Sequence, residues 1–117
     1  MEKPELIDRT VVYSLRIIQL YRTLEKDSVG KIIGRQLLRS GTSIGANLHE
    51  AQGGQSKPDF INKISISQKE ALESAYWLRV IQESKLLPAN RLKNLVQETD
   101  ELVKILSSIL IKSKKGN

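Results

Sequence analysis

The chain predicts an all-α fold, an antiparallel up-down-up-down four-helix bundle. Three observations carry this expectation. Four stretches repeat apolar residues at helical spacing. The breaks between them are short and hold capping or helix-stopping residues. Ile64-Ser65-Ile66-Ser67 alternates as a strand would, but it sits inside a longer helical period. Short turns between long helices make sequence neighbours antiparallel.

The first helix is expected over about 5–25. Pro4 is tolerated in a first turn, where its missing N–H has no partner to lose. Ile7, Thr10, Val11, Ser14, Ile17, Ile18, Tyr21 and Leu24 mark its face. Asp27 and Ser28 are candidate N-caps for a second helix over about 29–52, which Gly53-Gly54 stops. Ser56 with Asp59 reads as a capping box, and Pro58 lies in the first turn of a third helix over about 57–85. Phe60, Ile64, Ala71, Ala75, Leu78 and Ile81 carry that helix to the break at Leu87-Pro88. From Ala89, Leu92, Leu95, Val96, Thr99, Leu102, Val103, Leu106, Ile109 and Leu110 give a heptad-like fourth helix to about 112. Residues 113–117 are expected to form a disordered tail, and the 117 residues a single domain.

The second helix organises the rest. Gln36, Arg39, Ser40, Ser43, Asn47 and Glu50 share one stripe, beside a small or apolar stripe of Leu37, Gly41, Ile44, Leu48 and Ala51. Short hydrogen-bonding side chains with one Arg and one Glu suit a polar seam inside a bundle. A turn near Gln55 places Arg39 near Glu70 and Ser43 near Ser67 of the third helix. The expectation is a largely buried Arg39–Glu70 pair, whose disruption would cost about 3–5 kcal/mol. Gly30, Gly34, Gly41 and Gly45 fall at small-xxx-small spacings. Each costs a helix about 1 kcal/mol relative to Ala, which close approach of another helix would offset.

Composition removes several functions. Zero Cys excludes disulfides, thiol catalysis and Cys-ligated zinc. No apolar run approaches the roughly 18 residues of a membrane span. MEKPELIDR lacks the apolar core of a signal peptide, so a cytoplasmic location is expected. The formal net charge is +6, of which Lys112, Lys114 and Lys115 supply three.

Gly41-Thr42-Ser43-Ile44-Gly45 matches G-x-S-x-G, but a nucleophile elbow needs a preceding strand and a His base. The sole His, His49, points off Ser43's face. Gly53-Gly54-Gln55-Ser56-Lys57 lacks the spacing of a phosphate loop and reads as a helix–helix turn. Glu50, Glu70 and Asp59 lack the Glu-x-x-His motifs of a di-iron bundle. Tyr76 and Trp77 could stack bases, but a subunit interface is the preferred role. No catalytic, cofactor or metal residue is assigned.

From Gln36 to Glu50 and on through Ser56 to Leu87 the chain resembles the four-helix-bundle proteins named for ribosomal RNA intervening sequences. Gln36, Arg39, Ser40, Ser43-Ile44, Asn47 and Glu50 carry the resemblance, with Ser56, Asp59-Phe60 and Glu70. Ala51 departs from it where the family usually has Gly, and His49 where a small or apolar residue is usual. The resemblance implies a ring, commonly a homopentamer, and does not imply an enzyme. The accessory variability determinant proteins of diversity-generating retroelements are similar in fold and bind a reverse transcriptase and nucleic acid.

The functional expectation is a non-enzymatic, ring-forming scaffold that binds RNA or structured nucleic acid, or a nucleic-acid enzyme, and no membrane. Candidate contacts are Lys31, Arg35, Arg79, Lys85, Arg91 and Lys93, with Lys112, Lys114 and Lys115 of the tail. The alternative is a protein–protein adaptor ring with no nucleic-acid role. Val12, Leu15, Leu20, Ile105 and Ile111 lie off the main stripes and are expected to be buried between subunits.

Overall fold

The structure, a computed structural model, describes residues 4–54 and 56–116. Gln55, where the second turn was centred, lies outside the described residues. The helices are α1 (Pro4–Leu24), α2 (Ser28–Gln52), α3 (Lys57–Glu83) and α4 (Ala89–Lys115). Among the described residues there is no strand.

Local chemistry sets the helix ends. The Asp27 carboxylate accepts from the Gly30 N–H at 2.8 Å, and the Ser56 hydroxyl from the Asp59 N–H at 3.2 Å. At the end of α3, the Leu86 N–H donates to the Ile81 carbonyl and the Lys85 N–H to that of Gln82. This is a Schellman stop, and it closes α3 two residues before the expected end. Lys85 occupies its left-handed position with φ of 61°, where glycine is the usual residue and any Cβ costs about 1 kcal/mol. The expected tail is largely helix instead. Ser113, Lys114 and Lys115 continue α4, because Ser113 is half-buried in a groove it shares with Lys57 and Phe60 and gives the last turn a packed face. The Gly116 carbonyl then accepts from Lys57 Nζ at the start of α3.

Cross-helix pairs define the arrangement. Thr10 meets Gly45, Ile17 meets Gly41 and Leu24 meets Gly30, so α1 and α2 run oppositely. Glu50 pairs with Lys63, and Arg39 with Glu70, which makes α2 and α3 antiparallel. Lys57 meets Gly116 and Gln68 meets Ser107, which does the same for α3 and α4. Contacts between α1 and α4 are sparse, and α1 and α3 occupy opposite corners. The bundle measures 48 × 21 × 19 Å.

The core follows one face of each helix. Ile17, Leu37, Ile44, Leu48, Ile64, Leu78, Ile81, Leu92, Leu102 and Leu106 are buried. In α1 the buried line is Thr10, Tyr13, Ile17, Leu20 and Leu24. Leu20 therefore belongs to the core and not to a subunit contact. Val11 faces outward and is 51% exposed.

The glycines of α2 form a trough for α1. A Cβ at Gly45 would lie 2.7 Å from the Thr10 hydroxyl, and one at Gly41 3.0 Å from Ile17. A Cβ at Gly30 would overlap the carbonyl oxygen of Leu24, which is backbone and cannot swing aside. A Cβ at Gly53, by contrast, meets nothing nearer than 3.8 Å. Gly30→Ala is expected to lose about 1–2 kcal/mol, overpacking outweighing the gain in helix propensity. Gly53→Ala is expected to stay within about 0.5 kcal/mol. Urea denaturation of the two variants checks the contrast.

Candidate functional site

A layer of hydroxyls crosses the middle of the core, one from each helix. Tyr13 Oη and Thr99 Oγ1 lie 2.6 Å apart, and Ser40 Oγ and Ser74 Oγ 2.8 Å apart. Thr99 and Ser74 spend their own hydrogens on the carbonyls of Leu95 and Glu70. One level away, Ser67 donates to the Ile44 carbonyl at 2.7 Å. Among the described residues, no buried side-chain polar atom lacks a partner. Burial pushes the Tyr13 phenol up to about 12, against the opposing hydrogen bond with Thr99.

The seam expected inside the bundle divides between core and surface. Ser40 and Ser67 are buried. Gln36, Arg39 and Glu50 are exposed, while Ser43, Asn47 and Glu70 are half-buried along the outer groove between α2 and α3. Ser43 donates back to the Arg39 carbonyl at 2.7 Å, so the serine pairing falls to Ser40–Ser74 and not to Ser43–Ser67. The Arg39–Glu70 contact exists at 3.3 Å, but the arginine side chain is 50% exposed and also pairs with Glu73. Largely buried is therefore the wrong description. The long side chain reaches over the groove rim and keeps its guanidinium in water. Trp77 Nε1 donates to Glu73 at 2.9 Å, and with Arg39 it holds that carboxyl below its usual range. Glu50 forms a separate pair with Lys63 at 2.7 Å.

Ser43 sits in mid-helix and His49 is exposed, so the G-x-S-x-G match has neither its elbow nor its base. Trp77 is half-buried, and its neighbour Tyr76 is 58% exposed and edge-on to it.

The nine candidate cations form two groups. Lys31, Arg35, Arg79, Lys85, Arg91 and Lys93 are all exposed at the end where α1 turns into α2 and α3 into α4. Lys112, Lys114 and Lys115 are exposed at the other end. Lys31 and Lys93 come to one level because α2 and α4 both start at this end, a juxtaposition that spacing along either helix does not show.

The sequence model of a family described as 23S rRNA-intervening sequence protein matches residues 2–108. The chain belongs to that family. A solved relative is a protein with unknown function from the S23 ribosomal protein family of Bacteroides thetaiotaomicron VPI-5482. It is 38% identical, with a TM-score of 0.85 over 89% of this chain and 96% of that one. No curated protein matches. This member of the intervening-sequence family shares its fold with that relative, and neither description names an enzymatic activity. Among the described residues, no helix of this member is long and apolar enough to cross a membrane.

Two outcomes follow from the geometry. Arg39→Ala is expected to cost less than about 1 kcal/mol in urea denaturation, the scale of an exposed ion pair. Tyr13→Phe should cost about 1 kcal/mol at pH 8, one net hydrogen bond. The folded-state phenol is raised above its unfolded value of 10.0, so its contribution is intact below pH 10 and lost as pH rises toward about 12. That loss amounts to about 3 kcal/mol and is absent from the variant. Denaturation profiles of the two proteins should therefore cross between about pH 10 and 12.

Proposed function

We propose that the protein is a non-enzymatic scaffold whose copies associate head-to-tail into a closed ring. The observation that carries this reading is a pair of unlike apolar patches on opposite corners of the bundle. Val11, Val12 and Leu15 of α1 are 51%, 56% and 56% exposed, and Leu72 and Tyr76 of α3 are 52% and 58% exposed. Ile17 is level with Gly41, and Ser40 with Ser74. Followed across α2, these pairs put Leu15 and Leu72 at about one height.

Two different surfaces that fit each other make a heterologous contact, which closes into a ring when the rotation closes and runs on as a filament when it does not. Patches at one height favour closure, because each added copy brings little rise along the bundle axis. A homopentamer is the size that the family resemblance implies. Ile111 is 56% exposed and Ile105 half-buried, and both extend the apolar surface available to such contacts.

The test is sedimentation velocity at tens of micromolar. Wild type is expected to sediment well above one subunit, and Leu15→Glu and Leu72→Glu each as monomers. Each variant keeps one intact face, so an equimolar mixture should yield a dimer and nothing larger. A monomeric wild type, or a mixture that stays monomeric, would overturn the head-to-tail ring.

A further inference from the structure

We infer that the end of the bundle carrying Lys31 and Lys85 binds the phosphate backbone of double-helical nucleic acid. Residues 20–35 and 76–95, which make up this pole, contain eight Lys and Arg against three acids. The middle of the bundle, residues 13–19, 36–44, 64–75 and 96–106, contains four Lys and Arg against five acids. Five of the six net positive charges therefore sit at one end of an object 48 Å long and about 20 Å across.

The acids at this pole are already engaged or outnumbered. Asp27 caps α2 by accepting from the Gly30 N–H, and Glu83 is paired with Arg79 at 2.7 Å. Among the described residues, Arg79 is the only cation of the pole held in an ion pair. Lys26, Lys31, Arg35, Lys85, Arg91 and Lys93 are exposed, with flexible stems able to reach separate phosphates.

Lys85 adds an independent observation. The turn that ends α3 calls for glycine, and the chain places a lysine there in the left-handed conformation. Local strain of this kind is retained where the side chain serves another purpose. Here it sets a cation at the tip of the pole.

A duplex backbone is the occupant that the chemistry fits. Single strands are held on aromatic platforms between cations, and the pole has little to offer them. Of its aromatics, Tyr21 is half-buried, Trp77 is tied to Glu73, and Tyr76 stands edge-on against Trp77. Base reading needs forked side chains held over groove edges in a fixed geometry, whereas the four lysines of the pole act on phosphates as point charges and the exposed Arg35 and Arg91 have no ion pair among the described residues to hold their forks in place. Binding should be indifferent to sequence and to the 2′-hydroxyl. A cyclic ring would turn every pole to the same side and raise the avidity, but the site is complete in one copy.

The test is a filter-binding titration with an RNA hairpin and a DNA duplex of equal length, at 50 and 200 mM salt. If about four phosphates are neutralised, affinity should fall roughly 100-fold across that range for both probes. Lys31→Gln, Lys85→Gly and Lys93→Gln combined should weaken binding at 50 mM salt at least 10-fold and flatten the salt slope by about three phosphates' worth. Lys85→Gly alone should raise the melting temperature while weakening binding, which separates loss of contact from loss of fold. Replacing Lys112, Lys114 and Lys115 by Gln, at the far end, should change affinity less than threefold. Measured in the monomeric Leu15→Glu background, the pole variants should show the same ratios, so that failure of the ring and failure of the site are told apart. No binding of either probe at 50 mM salt, a tail variant as damaging as the pole variant, or a preference above 10-fold for one probe would overturn the proposal.

Discussion

Four hydroxyls in the middle of the core fix how the helices stand relative to one another. An unsatisfied buried hydroxyl costs about 1–3 kcal/mol. Tyr13 with Thr99 ties α1 to α4 at one axial position, and Ser40 with Ser74 does the same for α2 and α3. Sliding α1 by one turn, about 5.4 Å, would keep its apolar stripe roughly in place but strand the Tyr13 hydroxyl. Apolar packing brings the helices together, and the hydroxyl layer selects the level. The heights of Leu15 and Leu72, and the alignment of the two turns at the basic pole, follow from that selection.

On its α2 side, α1 is held by shape, its side chains lying against the backbone of Gly34, Gly41 and Gly45. On its α4 side it is held by polar bonds. Arg9 gives two hydrogen bonds to Glu98, at 2.6 and 2.8 Å, and a third to Glu101 at 2.6 Å. Those carboxylates keep the guanidinium protonated well beyond its ordinary range, and Tyr13–Thr99 lies beneath them. One helix thus uses close backbone approach on one flank and a forked ion pair on the other, which leaves Val12 and Leu15 free on its outer face.

The four helices were legible because their signals are local. Asp27 and Ser56 cap by reaching three residues along the chain, and an apolar period needs no knowledge of a neighbour. What the period does not say is which flank of a stripe faces the centre. Ser40 and Ser43 lie on one stripe, yet Ser40 is buried and Ser43 half-buried at the groove rim. Tyr13 was missed because the line through Ile7, Val11 and Ile18 also has helical spacing. The line Thr10, Tyr13, Ile17, Leu20, Leu24 keeps a steadier three-four alternation, and that was the available signal. The buried Arg39 pair failed for a different reason. Register brought the charges together as argued, but a long side chain at a groove edge can keep its contact and its water at once.

The three extensive helix interfaces all join neighbours in sequence, α1 with α2, α2 with α3 and α3 with α4, and the first and last helices meet only sparsely. Almost every native contact therefore closes a short loop, and the entropy lost in bringing distant parts of the chain together is small. Such a topology belongs among the fast folders. The α2–α3 hairpin, the most extensive pair, needs neither end of the chain. It can form as a nucleus on which α1 and α4 dock from either side.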